Sequence, residues 1–278
     1  MKQCFIVCDV SLCHDCNNCF IACKDEHVDN DWPPYTGAQP RHGHRWMNIL
    51  RTERGQYPRI DVAYLPMPCQ HCADAPCIKA NPGCISRRDD GIVLIDPVKA
   101  KGDKALADSC PFGAIYWNED AGVAQKCTMC AHILDGEGGC GGLDLPRCVH
   151  SCPTGALEFF RLEPEDMELK IKNESLERYN PGFSGGGAGV WYKNLYRFEK
   201  LFIAGGLLKD FECAEGEEVT LVSACDGKTC SQLTDCFGDF KFDGLSPGEY
   251  TIRINGAGEK TVAISESLNL GSIAIKHN

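Results

Sequence analysis

The stretch CHDCNNCFIAC, Cys13–Cys23, decides the first half of this chain. Its cysteines are spaced C-x2-C-x2-C-x3-C. A loop this tight wraps three thiolates around three corners of an iron–sulfur cubane, and the fourth cysteine points away to a second cluster. Lys24 follows Cys23, where a proline is usual for this spacing. A matching run is Cys127, Cys130, Cys148 and Cys152, followed by Pro153. Between the two lie Cys69, Cys72 and Cys77, spaced C-x2-C-x4-C, and a single Cys110.

The spacing of Cys13–Cys23 is that of bacterial ferredoxins. The segments CPFGAIYW (110–117) and CPTGALEF (152–159) repeat one pattern of cysteine, proline, turn and strand. This internal repeat is expected of a duplicated two-cluster ferredoxin. RRDDGIVLID (87–96) reads as a turn and then a strand, and DGEGGCGGLDLP (135–146) as a tolerated surface insertion. A zinc site would account for Cys127, Cys130, Cys148 and Cys152 taken alone. It leaves the Cys13–Cys23 run and the two repeated exits unexplained.

Twenty of the 278 residues are cysteine, and sixteen of them fall in residues 1–160. The N-terminus MKQCFIVCDV does not read as an export signal, so metal binding is favoured over disulfides. The expected location is the cytoplasm, or export in folded form with a partner that carries the signal. No run of 18 apolar residues occurs, so no direct membrane insertion is expected. The net charge of −11 argues against nucleic acid and anionic membrane surfaces. No phosphate loop, catalytic triad or paired-carboxylate motif stands out, so no catalytic residue is assigned to this chain.

The expected fold class is α+β: a duplicated ferredoxin-like domain over 1–160, with an insertion at 25–64, then a small all-β sandwich over 199–278. Residues 161–180 are charged and read as helical, and PGFSGGGAG (181–189) as flexible, so 161–198 is expected to be a linker. From 199 on, EEVTLVSA, GDFKFDGL, GEYTIRING, EKTVAIS and GSIAIKH are short runs separated by turn residues, the pattern of antiparallel strands. FGDFKFDGLSPGEYTIRI (237–254) resembles the signature of Cna-B and carboxypeptidase-regulatory (transthyretin-like) sandwich modules, which usually serve assembly.

With these motifs the chain resembles the iron–sulfur subunits of the dimethyl-sulfoxide-reductase superfamily of molybdenum enzymes. One branch is most similar, the small subunits of pyrogallol–phloroglucinol transhydroxylase and the related catechol dehydroxylases. The shared stretches include CxDCNNCF, GHRWMNI (Gly43–Ile49), QKCTMCAH (Gln125–His132), YKNLYRFEK (Tyr192–Lys200) and the C-terminal sandwich. The resemblance implies crosswise ligand sets: Cys13, Cys16, Cys19 and Cys152; Cys23, Cys127, Cys130 and Cys148; Cys69, Cys72, Cys77 and Cys110. A fourth set, usual in the superfamily, is missing as a whole. Asn81 stands at one of its places, and DPVKAKGDKALADSC (96–110) lacks the other three cysteines.

Three [4Fe–4S] clusters are therefore expected here. A molybdopterin guanine dinucleotide with molybdenum is expected in a large catalytic partner subunit. The complex is expected to act on polyhydroxylated aromatics, by transhydroxylation or reductive dehydroxylation. The alternatives are a molybdenum partner acting on an S-oxide, sulfur compound or oxoanion, and a free-standing ferredoxin-like carrier.

Eight cysteines fall outside these sets: Cys4, Cys8, Cys84, Cys140, Cys213, Cys225, Cys230 and Cys236. Their expected role is that of small buried hydrophobes, with disulfides among the last four only if the protein is exported. His42, His44, Arg45 and Trp46 read either as a surface facing the large subunit or as a solvated basic loop. His71 is placed to donate a hydrogen bond to a cluster sulfur. Lys24, Lys79 and Lys126 adjoin candidate ligands and read either as charges that raise cluster potentials or as plain surface charge.

Overall fold

The computed structural model describes residues 1–136, 144–180, 182 and 189–276. Cys140 and most of the glycine stretch 181–189 lie outside the described residues. By its internal contacts the chain divides into two compact units. Unit 1 is Met1–Leu50 with Tyr64–Leu195, and unit 2 is Arg51–Ala63 with Tyr196–Asn278.

Unit 1 opens with β1, Gln3–Asp9, a run buried almost throughout. Buried on both faces, β1 carries a continuous apolar sequence rather than an alternating one. Helix α1, Asn18–His27, follows and carries Cys19 and Cys23. Strands β2, Met47–Gln56, and β3, Arg59–Pro68, form a hairpin. Next come α2, Pro76–Ala80, the hairpin of β4, Ile85–Arg87, with β5, Val93–Ile95, and a 3-10 turn, Lys104–Ser109. The hairpin of β6, Ile115–Asn118, with β7, Val123–Lys126, leads into α3, Ala131–Asp135, and α4, Arg147–His150. Strand β8, Leu157–Leu162, then pairs antiparallel with β1.

The segment 161–198 is not a bare linker. Residues Pro164–Glu174 form helix α5, as the sequence predicts, and Met167 on it packs with Phe5, Val7 and Trp191. Strand β9, Val190–Lys193, then pairs in parallel with β1. Burial of Val190, Trp191 and Tyr192 holds this stretch in the core of unit 1.

Unit 2 begins its C-terminal stretch with a short helix, α6, Tyr196–Glu199. The central strand β10, Leu201–Lys209, pairs with β11, Glu212–Cys213, with β14, Asp239–Leu245, and in parallel with β17, Leu268–Ile275. The second sheet runs β13-β12-β15-β16, from Thr229–Leu233, Glu218–Ser223, Gly248–Ile254 and Gly258–Ile264. Ile203, Leu207, Phe240 and Phe242 of the first sheet share one buried cluster with Val219, Leu221, Ile252 and Ile254 of the second. Unit 2 is thus a two-sheet sandwich with alternating inward residues, as in DFKF and YTIRI. Gly205 on β10 leaves room for a ring: a Cβ there would stand 2.8 Å from Phe240.

The insertion expected at 25–64 divides between the units. Residues 51–63, the far part of the β2–β3 hairpin, group with unit 2. There the buried Arg54 guanidinium donates hydrogen bonds to the Lys200 carbonyl at 2.7 Å, to both carboxylate oxygens of Asp243 at 2.8 and 3.0 Å, and to Asp61 at 2.6 Å. All four cysteines of the C-terminal stretch, Cys213, Cys225, Cys230 and Cys236, are exposed, and none is paired with another described cysteine. Exposure corrects the expectation that they are buried hydrophobes. Cys4, Cys8 and Cys84 are buried as expected.

Candidate iron–sulfur centre

Each cysteine run in unit 1 is held by the same backbone device. Asp15, His71 and Met129 occupy the second intervening position of a C-x2-C loop, and all three are left-handed, with φ of 55°, 45° and 53°. A non-glycine residue pays roughly 1–2 kcal/mol for that conformation. The reversal turns successive backbone N–H groups inward, making a concavity suited to an anion. Accordingly, the Met129 N–H donates to Cys127 Sγ at 3.3 Å. The two repeated exits also match. Gly113 and Gly155 have φ of 61° and 69°, and each donates its N–H back to the cysteine carbonyl three residues earlier. The Ala114 N–H donates to Cys110 Sγ at 3.5 Å.

The thiols fall into neighbourhoods. Burial, then the neighbouring thiolates of Cys13, Cys152 and Cys16, push Cys19 up to about 12. Cys23, one helical turn further along α1, is raised well above the usual thiol range by burial and then by Cys127 and Cys130. Burial, then Cys130, Cys127 and Cys23, raise Cys148 in the same way. Burial, then Cys69, Cys110 and Cys72, push Cys77 up to about 11. One helix therefore presents two thiols to two different groups.

The groups also feel one another's charge. Cys23 and Cys148 feel Cys19, and Cys127 feels Cys69. The order runs from the Cys13 group through the Cys23 group to the Cys69 group. Exposure is greatest in the first group, where Cys16 is exposed; the second and third groups each hold three buried cysteines and one half-buried one, Cys127 and Cys110.

Among the described residues no three His, Cys, Asp or Glu side chains converge to hold a single metal ion. Instead Cys69, Cys72, Cys77 and Cys110 surround a cavity, closed elsewhere by Ala75, Val93, Phe112 and Ile115 and by Lys126. Four sulfurs around a void in an apolar wall suit a multi-iron cage, so the residues present fit an iron–sulfur cluster. His71 is 1% exposed, and its Nδ1 accepts the Val93 N–H at 3.0 Å. The ring proton is therefore on Nε2, which is buried without a partner among the described residues. A buried donor without an acceptor fits a sulfur acceptor outside the polypeptide.

Where the resemblance implies a missing fourth ligand set, the described residues pack against one another. The Asn81 amide donates to Asp103 at 2.7 Å, and Cys84, Ala100 and Leu106 are buried in one apolar cluster.

The reading of residues 42–46 as a solvated loop needs correction. His44 and Trp46 are buried, and only His42 of the four residues is well exposed. His44 Nε2 donates to the Trp117 carbonyl at 3.0 Å and its ring stacks on Tyr116. Trp46 meets His27 edge-on at 4.9 Å. Arg45 lies over Phe20 at 4.0 Å and donates to Asn17 at 2.9 Å. The three lysines also separate. Lys79 is exposed and paired with Asp74, Lys24 donates to the Pro40 carbonyl at 2.7 Å, and Lys126 is buried.

Sequence reasoning missed two features. Cys8, expected in the core, is buried close enough to Cys19, Cys13 and Cys152 to feel their charge. An imidazole pair, His27 and His132, lies beside the Cys23 group with ring centroids 5.4 Å apart. The His27 spacing, four residues after Cys23 on one helix face, is the signal that could have found the pair.

The family described as a 4Fe-4S dicluster domain matches residues 60–162. Over 280 residues the chain is 50% identical to the pyrogallol hydroxytransferase small subunit of Pelobacter acidigallici, covering 99% of this chain and 100% of that one. The chain belongs to the family of that small subunit. It is also 32% identical over 179 residues to the thiosulfate reductase electron transfer subunit of Salmonella typhi, covering 64% of this chain and 85% of that one. To a sulfite dehydrogenase subunit of Allochromatium vinosum it is 30% identical over 177 residues, covering 62% and 74%. As a member of this family the chain is the iron–sulfur electron-transfer subunit of a molybdenum oxidoreductase or transhydroxylase complex, and a separate large subunit carries the catalysis. No helix among the described residues is long and apolar enough to cross a membrane.

Proposed function

We propose that this chain carries three [4Fe–4S] clusters in a row and exchanges single electrons with a bis-molybdopterin subunit that acts on polyhydroxylated aromatics. One observation carries the reading: Cys19 lies near Cys13, Cys16 and Cys152, Cys148 near Cys23, Cys127 and Cys130, and Cys77 near Cys69, Cys72 and Cys110, so that distant runs of the sequence meet. In this reading Cys13, Cys16, Cys19 and Cys152 hold the first cluster. Cys23, Cys127, Cys130 and Cys148 hold the second, and Cys69, Cys72, Cys77 and Cys110 the third. The clusters supply one-electron transfer. The protein supplies the burial, the N–H donors to sulfur and the fixed charges that set each potential.

The substrate class rests on the relative of 50% identity, named for pyrogallol. Unit 2 is read as a Cna-B or transthyretin-like module that serves assembly, which its two-sheet core supports. The tests act on the anaerobically purified complex. About twelve irons per chain, with one molybdenum or tungsten per partner, are expected. Cys110→Ser should perturb one spectroscopic centre and Cys152→Ser another. If both changes strike the same centre, the crosswise sets are wrong. Turnover of phenols separates the proposed substrate class from sulfur compounds or oxoanions.

A further inference from the structure

Lys126 is 2% exposed and lines the cavity of Cys69, Cys72, Cys77 and Cys110. Its ammonium donates to the carbonyls of Val93 and, at 3.0 Å, of Cys127. Carbonyl oxygens are acceptors only, so both contacts use the amine's N–H donors and fix it beside the cavity. Next to it are four sulfurs in an otherwise apolar wall. A cubane with four thiolates carries about −2 when oxidised, and one further negative charge when reduced. In a closed apolar site water cannot stabilise that added charge, so a nearby fixed cation acts at low effective dielectric.

We propose that Lys126 is the internal countercharge of the third cluster, raising its reduction potential so that this enclosed site can accept an electron. The inference rests on the three-cluster reading above. Lys126 is also the residue before Cys127, a proposed ligand of the second cluster, so its backbone belongs to one site and its charge to the next. Lys79 provides the contrast. It lies two residues after Cys77, but it is exposed and neutralised by Asp74. Exposed pairs of that kind are screened and contribute little.

The experiment is an anaerobic redox titration of the complex followed by electron paramagnetic resonance, with the third centre assigned as the one lost in Cys110→Ser. Lys126→Gln keeps a hydrogen-bond donor and removes the charge. It should lower the reduction equilibrium of the third centre at least ten-fold, about 59 mV for one electron. The first centre should stay in place, Lys79→Gln should shift nothing, and Lys126→Arg should stay near the unmodified value. An unshifted third centre in Lys126→Gln, or a shift in Lys126→Arg as large as in Lys126→Gln, overturns the proposal. If Lys126→Gln loses the third cluster, Lys126→Arg decides. Full iron and a near-native potential support the countercharge, and loss in both variants makes the amine a packing element. Fewer than three centres in the unmodified complex would instead refute the three-cluster reading itself.

Discussion

Replacing Arg54 by methionine keeps much of the length of the side chain and removes its charge from a site that is 6% exposed. Four hydrogen bonds are lost, to Lys200, Asp61 and both oxygens of Asp243. Removing one partner of a buried ion pair costs about 3–5 kcal/mol, most of it for the charge left behind. Here the carboxylates keep other partners. Lys241 stands 2.7 Å from Asp61 and 3.1 Å from Asp243, and Arg197 stands 3.1 Å from Asp61. Burial alone would raise the Asp61 carboxyl, yet hydrogen bonds from Lys241 and Arg54 hold it down at about 2. The remaining cations place the loss at the low end, about 3 kcal/mol.

Hydrogen exchange on the full complex reads this directly, because amide protection reports the local opening free energy. Protection of the amides of β10 and β14 should fall about 150-fold, at ten-fold per 1.4 kcal/mol. Adding Asp243→Asn to Arg54→Met should restore at least half of the loss in free energy, since it removes the abandoned charge. Protection within about three-fold of the unmodified protein, or a double variant weaker than the single one, would refute this account of the site.

Leu106→Ala empties part of the apolar cluster that also holds Cys84 and Ala100. It should destabilise unit 1 by about 3 kcal/mol, seen as a lower thermal midpoint. His71→Phe removes the orphaned Nε2–H from beside Cys69 and Cys72, and should lower a cluster potential in the same titration that tests Lys126. Iron-free protein should lose stability as pH rises. Unfolded thiols ionise near the reference value of 9.0, whereas folded Cys77 and Cys127 hold their protons to about 11, and Cys19 and Cys130 to about 12. Between those limits the unfolded chain binds fewer protons, so each such thiol removes about 1.4 kcal/mol per pH unit. Melting curves from pH 8 to 10.5 should therefore fall steeply for the iron-free chain and not for the loaded one, whose thiolates are already bound.

The cysteine runs were legible because a cage dictates ligand spacing, and the repeated CPFGA and CPTGA exits show the duplication without any structure. Helix α5 and the alternating strands β14 and β15 were legible from period and turn residues. The sequence reading passed over β1, CFIVC, and β10, LFIAGGLLK, because strands buried on both faces show no alternation. The burial of His44, Trp46 and Lys126 was hidden for another reason. Their partners, Trp117, His27 and Val93, lie far along the chain, and polar residue types read as surface by default. The separation of Arg54 from Asp243 by 189 positions is beyond any local pattern.

That separation bears on how the protein is made. Residues 51–63 leave the ribosome well before the strands they join, and β17 ends only at Ile275. Through that interval the Arg54 guanidinium waits in water without Asp243. Unit 2 cannot finish as an independent C-terminal cassette, because part of it was synthesised before most of the proposed cluster ligands. Deleting everything after residue 198 would accordingly not yield a smaller carrier with a clean edge. It would leave a hairpin bearing Arg54 and Asp61 with no sandwich to enter, a substrate for proteases and chaperones. Grafting the C-terminal strands onto another protein would in turn produce a sandwich without the piece that residues 51–63 supply.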